Sequence, residues 1–300
     1  MVKFAPEGAL IGTAENEACL KSLAEIEKAM KEGRILEARA LWCEADLTLR
    51  FRLGDLEGYL PKEEVCVLEE GAEVRDIAVI CRVGKPCVFR IKEIVYQPEI
   101  KIILSRKSAQ ERCLEEYLDL LEDGDIIPAK VTHFEPFGAF CDIGCGIPSL
   151  MSIDCISISR ISHPSDRFFL GEEILCAVKC RVERKLGRRG RIALTHKELL
   201  GTWEENAEHF QAGQTVMGVV RSIESYGIFV ELAPNLAGLA EWRDGVNVGD
   251  GCSVYIKSII PEKKKIKLVL ISTFQTTMRL TPTKYFITEG NLLSFLEKRK

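Results

Sequence analysis

Two short segments of the chain carry aromatic side chains at the same spacing. One reads Phe-Gly-Ala-Phe-Cys-Asp-Ile from Phe137, and the other reads Tyr-Gly-Ile-Phe-Val-Glu-Leu from Tyr226. If both segments are strands, side chains alternate between two faces, and Phe140 and Phe229 lie opposite an apolar face. An aromatic ring on the polar side of a strand is suited to stacking on nucleobases. We therefore predict that these four residues stack on bases; for Phe137 and Tyr226, packing against a neighbouring helix is the alternative.

Basic side chains are concentrated in one predicted turn, although the chain as a whole is acidic. The formal net charge is −4, which argues against a uniformly basic nucleic-acid-binding protein. Residues 179–197, in contrast, hold eight basic side chains and one acidic side chain. Cations this close together repel one another unless an anion is nearby, so the turn is expected to contact phosphate. The predicted phosphate contacts are Arg184, Lys185, Arg188, Arg189 and Arg191, together with Lys265 and Lys267 on a later strand, for which a solvated surface is the alternative.

Other reactive side chains do not form a recognisable site. The twelve cysteines and four histidines lack the paired Cys-x-x-Cys spacing of zinc sites, and no catalytic motif is present. We therefore predict a protein without catalytic residues, metal or cofactor, in which Asp142 and Glu231 are hydrogen-bonding or solvating residues of the binding face. No secretory signal or membrane-spanning run is recognised, so a cytoplasmic protein with reduced thiols and no membrane contact is expected.

Internal repetition indicates how these residues are positioned. Gly33, Gly124 and Gly213 open similar segments, and each segment ends in a strand that begins with a basic residue and continues mainly with apolar ones. Five short strands in a unit, separated by Gly or Asp turns, predict a small closed barrel. Phe134 takes an apolar position of a first strand and is assigned to the core. Amphipathic patterns predict helices over 15–31, 109–122 and 197–211, and the end of the chain is compatible with a helix over 291–300.

These residues resemble the S-one RNA-binding repeat, an OB-fold module of the bacterial ribosomal protein S-one family. That family shows the motif Phe-Gly-Ala-Phe-Val-Asp-Leu across its first two strands and Arg-Ile-x-Leu-Ser in its fifth. The second and third units match both motifs. The first unit matches in its third and fifth strands, but Asp46 and Leu49 stand at the two aromatic positions. The family histidine of strand three is absent, and His163 is considered as a spatial substitute, with an ordinary exposed loop histidine as the alternative.

The resemblance implies a mainly β fold of three tandem five-stranded OB-fold barrels joined by short α-helices. The predicted divisions are an N-terminal helix (1–32), a degenerate repeat (33–107), a helical linker (108–122), an RNA-binding repeat (123–198), a second helical linker (199–211), a second RNA-binding repeat (212–273) and a basic C-terminal tail (274–300).

The resemblance also implies a function, with two alternatives. A short bacterial homologue of this family is expected to bind single-stranded RNA such as mRNA without catalysis, in translation and in contact with the small ribosomal subunit. One alternative is a protein-interaction scaffold that docks on the ribosome or another complex without touching RNA. The other is an accessory RNA-binding subunit of an RNA-degrading complex. The oligomeric state is not predicted.

Overall fold

The computed structural model describes residues 4–68, 72–159, 161–182, 190–275 and 283–298. Within these residues, fifteen strands form three closed barrels, one after another along the chain. Barrel one consists of β1 (Leu36–Cys43), β2 (Leu49–Leu53), β3 (Leu56–Leu60), β4 (Pro86–Val95) and β5 (Lys101–Ser105). Barrel two consists of β6 (Ile126–Glu135), β7 (Gly138–Asp142), β8 (Pro148–Ser152), β9 (Glu173–Val182) and β10 (Arg191–Thr195). Barrel three consists of β11 (Thr215–Glu224), β12 (Gly227–Ala233), β13 (Leu236–Ala240), β14 (Gly251–Ile260) and β15 (Lys265–Phe274).

All three barrels share one strand order. In each, the first strand pairs with the second and fourth, and the fifth strand lies between the third and the fourth. Every pairing is antiparallel except that of the third and fifth strands, which is parallel. A closed five-stranded barrel with this connectivity is the OB fold. The prediction of three tandem five-stranded OB-fold barrels in a mainly β chain is therefore confirmed.

Alternating side chains fill a separate core in each barrel. In barrel two, for example, Val131, Cys141 and Met151 point inward from three adjacent strands and are fully buried. The cysteines contribute to these cores as small apolar residues: eight of the twelve are buried and all twelve are free thiols.

The helices are shorter than the sequence pattern suggests. The predicted helix over 15–31 is two helices, α1 (Ala14–Leu20) and α2 (Leu23–Lys31), because the hydroxyl of Ser22 accepts the Glu25 N–H and starts a new helix. A further short helix, α3 (Asp76–Ile80), lies between β3 and β4.

The helices between and after the barrels also differ in their bounds. The linker after barrel one is α4 (Arg106–Glu116), which begins earlier than predicted because Ser105 caps it, followed by a single 3-10 turn. The next linker is a 3-10 turn and α5 (Trp203–Ala207), interrupted at Gly201. The final helix is α6 (Leu292–Lys298).

Both ends of the described chain pack on barrel two. Phe4 is buried in the core cluster that contains the interior of that barrel. After barrel three, the chain returns so that Ile287 and Leu292 pack with Ala177 and Leu199. Backbone hydrogen bonds from Ile126 N–H to the Gly290 carbonyl and from Leu292 N–H to the Gly124 carbonyl, 3.1 and 2.7 Å long, hold the returning segment in place.

Candidate nucleic-acid interface

Barrel two presents a pair of aromatic rings where β7 begins. Phe140 lies on β7 and is half-buried, whereas Phe137, in the turn before β7, is 55% exposed. The two ring centroids are 6.3 Å apart and the ring planes meet at 84°, an edge-to-face contact. The contact holds an exposed ring and a half-buried ring at a fixed angle, which is what a base-stacking platform requires.

Barrel three repeats this pair in the same geometry. Phe229 is half-buried on β12, and Tyr226 is 67% exposed in the preceding turn. Their ring centroids are 6.1 Å apart and the planes meet at 89°. The similarity of the two segments in sequence therefore corresponds to a similarity in the placement of their rings.

A glycine separates the two rings of each pair because the neighbouring strand leaves no room for a side chain. A Cβ at Gly138 would lie 2.3 Å from the carbonyl oxygen of Met151, and one at Gly227 would lie 2.5 Å from that of Ala240. A Cβ contact shorter than 3.0 Å with backbone would force the strands to shift, so only glycine fits at these two positions. The glycine lets the second and third strands of each barrel pair closely at the turn that carries the first ring.

His133 adds a third ring to barrel two that sequence analysis missed. It lies on β6 directly opposite Phe140, and the two rings stack with centroids 6.2 Å apart and planes at 30°. A β-bulge at Thr132 shifts the register of β6 and places His133 on the same face as Phe140. In barrel three Ser222 takes the equivalent position opposite Phe229. We call His133, Phe137 and Phe140 the aromatic patch of barrel two.

The predicted cations fall into two groups. Arg191, Lys265 and Lys267 are exposed at the starts of the fifth strands β10 and β15. Lys267 on β15 pairs with Leu239 on β13, and Leu239 pairs with Phe229 on β12. The lysine and the phenylalanine therefore lie at the same height on adjacent strands of barrel three. Arg184, Lys185, Arg188 and Arg189 lie outside the described residues.

His163 lies near the patch of barrel two but has a local structural role. Its ring accepts the Ser165 N–H at 3.2 Å and caps a 3-10 turn. The ring also contacts Phe134 edge-to-face, with centroids 5.9 Å apart. Phe134 is partly buried and packs against the core of barrel two, as predicted, but at its edge.

Asp142 is not on the exposed binding face. Its side chain is 3% exposed and accepts the N–H groups of Glu7, Gly144 and Gly146 at 2.7 to 2.9 Å. Burial and the carboxylate of Glu7 raise the pKa of Asp142 to about 6. The prediction of a hydrogen-bonding residue is confirmed, but its placement on a solvated face is wrong because the N-terminal segment covers this end of β7.

Glu231 is likewise buried, at the contact between barrels two and three. Its carboxylate binds the guanidinium of Arg167, from the loop before β9, through two hydrogen bonds of 2.7 and 2.8 Å. Arg221 of β11 donates a further hydrogen bond of 2.9 Å to the same carboxylate. Glu231 therefore ties two barrels together, and its placement on the binding face is wrong for the same reason: another part of the chain covers it.

Barrel one carries a different group at the equivalent place. Strand pairing puts Arg50, rather than Leu49, at the position of Phe140. The reason is that five residues lie between the paired Cys43 and Leu49, one more than between the equivalent pair, Phe134 and Ala139, of barrel two. Leu49 is fully buried in the core, and Asp46 is exposed in the turn. The guanidinium of Arg50 lies over the ring of Tyr59, 3.7 Å from its centroid, and 5.8 Å from the ring of Trp42.

The same arginine is paired with acidic residues of its own barrel. Arg50 Nη1 lies 2.9 Å from Glu44 Oε1, and its other terminal nitrogen donates to Glu57. The charge of Arg50 is therefore balanced within barrel one.

The described part of the chain contains neither a cluster of metal ligands nor a helix that could span a membrane. No three His, Cys, Asp or Glu side chains there come together as a metal site would require. None of the helices in the described ranges is long and apolar enough to cross a bilayer.

The fold and the repeated ring pairs define a class: a chain of three tandem OB-fold barrels. The chain is similar in sequence to bacterial small ribosomal subunit protein bS1. It is 36% identical to the bS1 homologue of Bacillus subtilis over 46% of this chain and 36% of that protein. It is 27% identical to bS1 of Rhizobium meliloti over 74% of this chain and 40% of that protein. The chain thus spans about two fifths of the length of these relatives.

Neither the known protein families nor the solved structures identify this chain further. No protein-family model matches the chain. A multidomain protein with nucleic acid binding domains from Streptococcus pneumoniae is 14% identical over 89% of this chain and 81% of that one, with a TM-score of 0.24.

Proposed function

We propose that the chain is a non-enzymatic protein that binds single-stranded RNA, such as mRNA, through barrels two and three. Stacking on aromatic rings tolerates any base because every base has a π-face, so only modest sequence preference is expected. Two barrels on one chain raise the affinity for a strand long enough to reach both, because the second contact becomes intramolecular.

One observation carries the proposal: an edge-to-face pair of rings recurs at the same strand position in barrels two and three. The pairs Phe137/Phe140 and Tyr226/Phe229 agree within 0.2 Å in centroid separation and 5° in angle. Each pair includes one residue more than half exposed to solvent. Large apolar side chains held in the open at matching places are typical of binding surfaces.

The relatives support a setting for this activity. Their names place them in the small ribosomal subunit. We infer that this chain acts in translation in the bacterial cytoplasm and contacts the small ribosomal subunit, forming a ribonucleoprotein. Co-sedimentation of the purified chain with small subunits, with and without added mRNA, tests this part separately from RNA binding.

The RNA proposal is tested by titrating a fluorescent single-stranded RNA at several salt concentrations. The Phe137→Ala/Phe140→Ala variant removes both rings of one barrel, and about 1–3 kcal/mol per stacked base predicts at least a tenfold loss of affinity. Tyr96→Ala removes an aromatic residue that is 54% exposed on barrel one and serves as the matched control. Wild-type protein that fails to bind at low salt, or a double variant that binds like the control, contradicts the proposal.

A specific observation favours docking on protein for barrel one. Glu44 and Glu57 already neutralise Arg50 at the position where barrels two and three carry a phenylalanine. An arginine whose charge is already paired with carboxylates attracts a phosphate less strongly than an unpaired one does. We infer that barrel one contributes to docking on the ribosome or another complex, and co-sedimentation of an Arg50→Ala variant compared with Phe137→Ala/Phe140→Ala separates the two roles.

A further inference from the structure

A cleft with a volume of about 1050 Å³ lies between barrels one and two. The segments around α3 and after β3 form one wall, and parts of β6, β8 and β10 form the other. Ligand pockets have volumes of about 300–1,000 Å³, so the space admits a nucleotide-sized group. Neither barrel could form this cleft alone.

The charge of the cleft is positive. Five cationic side chains line it, against two acidic ones. The acidic side chains, Glu7 and Asp142, are buried, and Glu7 is held by Arg106 and Arg82 at 2.6 Å each. Although burial alone would favour the neutral acid, these two guanidinium groups lower the pKa of Glu7. Glu7 is thus committed to internal ion pairs and leaves the remaining cations unbalanced.

Two of those cations are exposed at the rim, one on each wall. Lys85 precedes β4 of barrel one, and Arg191 begins β10 of barrel two. Within the described ranges, neither side chain has an ion pair or a hydrogen bond. Cations that face a shared space without a carboxylate partner are suited to contact with a phosphate group.

The cleft adjoins the aromatic patch. Phe140 pairs with Leu150, and Asp142, two residues further along β7, pairs with Pro148 in the cleft wall. Side chains two residues apart on a strand share a face and are about 7 Å apart. An RNA strand that stacks on Phe140 and runs toward Asp142 would therefore reach the cleft wall at its next nucleotide.

We propose that this inter-barrel cleft binds the RNA nucleotide next to the one stacked on Phe140, with its phosphate between Lys85 and Arg191. The inference rests on the proposed RNA-binding function and adds a subsite to which barrel one contributes. It gives barrel one a direct contact with RNA that does not use the position of Arg50.

Salt dependence of binding tests the phosphate contact. For a single strand, each phosphate neutralised contributes about 0.7 to the slope of log affinity against log salt, so Lys85→Ala should flatten the slope by about that amount. Lys21→Ala replaces another exposed lysine outside the cleft lining and should leave the slope unchanged. An unchanged slope in Lys85→Ala overturns the proposal.

Cys81 provides an independent measurement because it is an exposed thiol in the cleft wall. In a Lys21→Cys variant, which adds a reference thiol away from the cleft, alkylation by N-ethylmaleimide is followed at both sites by mass spectrometry. Saturating RNA should slow alkylation of Cys81 several-fold without affecting the reference thiol.

The outcomes separate this inference from the proposed function. If RNA binds and the Phe137→Ala/Phe140→Ala variant is weakened, but Cys81 reacts at its unprotected rate, the cleft proposal falls and the RNA-binding function stands. If no RNA binds, both fall. If a free nucleoside monophosphate protects Cys81 and RNA does not, the cleft binds a small phosphorylated ligand and the RNA assignment is overturned.

Discussion

At the scale of single residues, the aromatic patch of barrel two shows how one ring depends on its neighbours. Phe140 contacts Phe137 edge-to-face on one side and stacks with His133 on the other. Opposite Phe229, barrel three has Ser222 where barrel two has His133. Barrel two therefore has a third ring at this place and, on the proposed function, is the stronger of the two RNA contacts.

His133→Ala is expected to weaken RNA binding by up to about tenfold, since it removes one of three adjacent rings without changing the core. The measurement is the same fluorescent RNA titration. His209→Ala removes a histidine near the start of barrel three and should bind like the wild type. If His133→Ala binds RNA as tightly as His209→Ala, the histidine is not part of the interface.

At the scale of elements, the turn between the first two strands determines what each barrel displays. In barrels two and three the turn is short and ends in a glycine that lies against the third strand. In barrel one the connection between the equivalent paired positions is one residue longer, and Arg50 rather than a phenylalanine reaches the outer face. Three barrels of one topology therefore carry two kinds of surface.

Gly138→Ala is expected to destabilise barrel two by about 1–3 kcal/mol, because the added Cβ would meet the Met151 carbonyl oxygen at 2.3 Å and force β7 away from β8. Thermal unfolding measures the stability, and RNA titration measures the displacement of the rings. A variant as stable as the wild type, with unchanged RNA affinity, would show that the close pairing of β7 with β8 does not position the Phe137/Phe140 ring pair.

At the scale of the whole molecule, buried ion pairs join the barrels. Glu7, held between Arg82 and Arg106, links the N-terminal segment to barrel one, while its backbone N–H binds Asp142 of barrel two. Arg167 and Glu231 connect barrel two to barrel three, and their side chains are 4% and 1% exposed. The returning C-terminal segment adds a contact in which the Tyr285 hydroxyl accepts the Leu175 N–H. The Arg167–Glu231 pair thereby joins the two barrels that carry the ring pairs.

Glu231→Gln should lower the stability of the chain by about 3–5 kcal/mol, because Arg167 remains buried opposite a neutral side chain. Small-angle X-ray scattering should also show a larger radius of gyration as barrel three moves more freely. Glu32→Gln makes the same chemical change in an exposed ion pair with Arg34 and should leave both measurements near those of the wild type. Equal unfolding temperatures for the two variants would contradict a role for Glu231 in joining the barrels.

The sequence by itself determined the three barrels, their strands and the two ring pairs, because these depend on local periodicity and short turns. Phe140 and Phe229 could be assigned to the outer face from alternation alone. The phosphate-contact turn was also predicted from sequence, but most of its residues lie outside the described ranges.

Only the tertiary structure decided what covers each outer face. Asp142 and Glu231 lie on the same strand faces as Phe140 and Phe229. The N-terminal segment nevertheless covers Asp142, and Arg167 of barrel two covers Glu231. His133 joined the patch through a bulge, and Arg50 replaced Leu49 through a longer turn. Local pattern states which side of a strand a residue takes, whereas contacts between residues far apart in sequence determine whether that side meets solvent, another barrel or RNA.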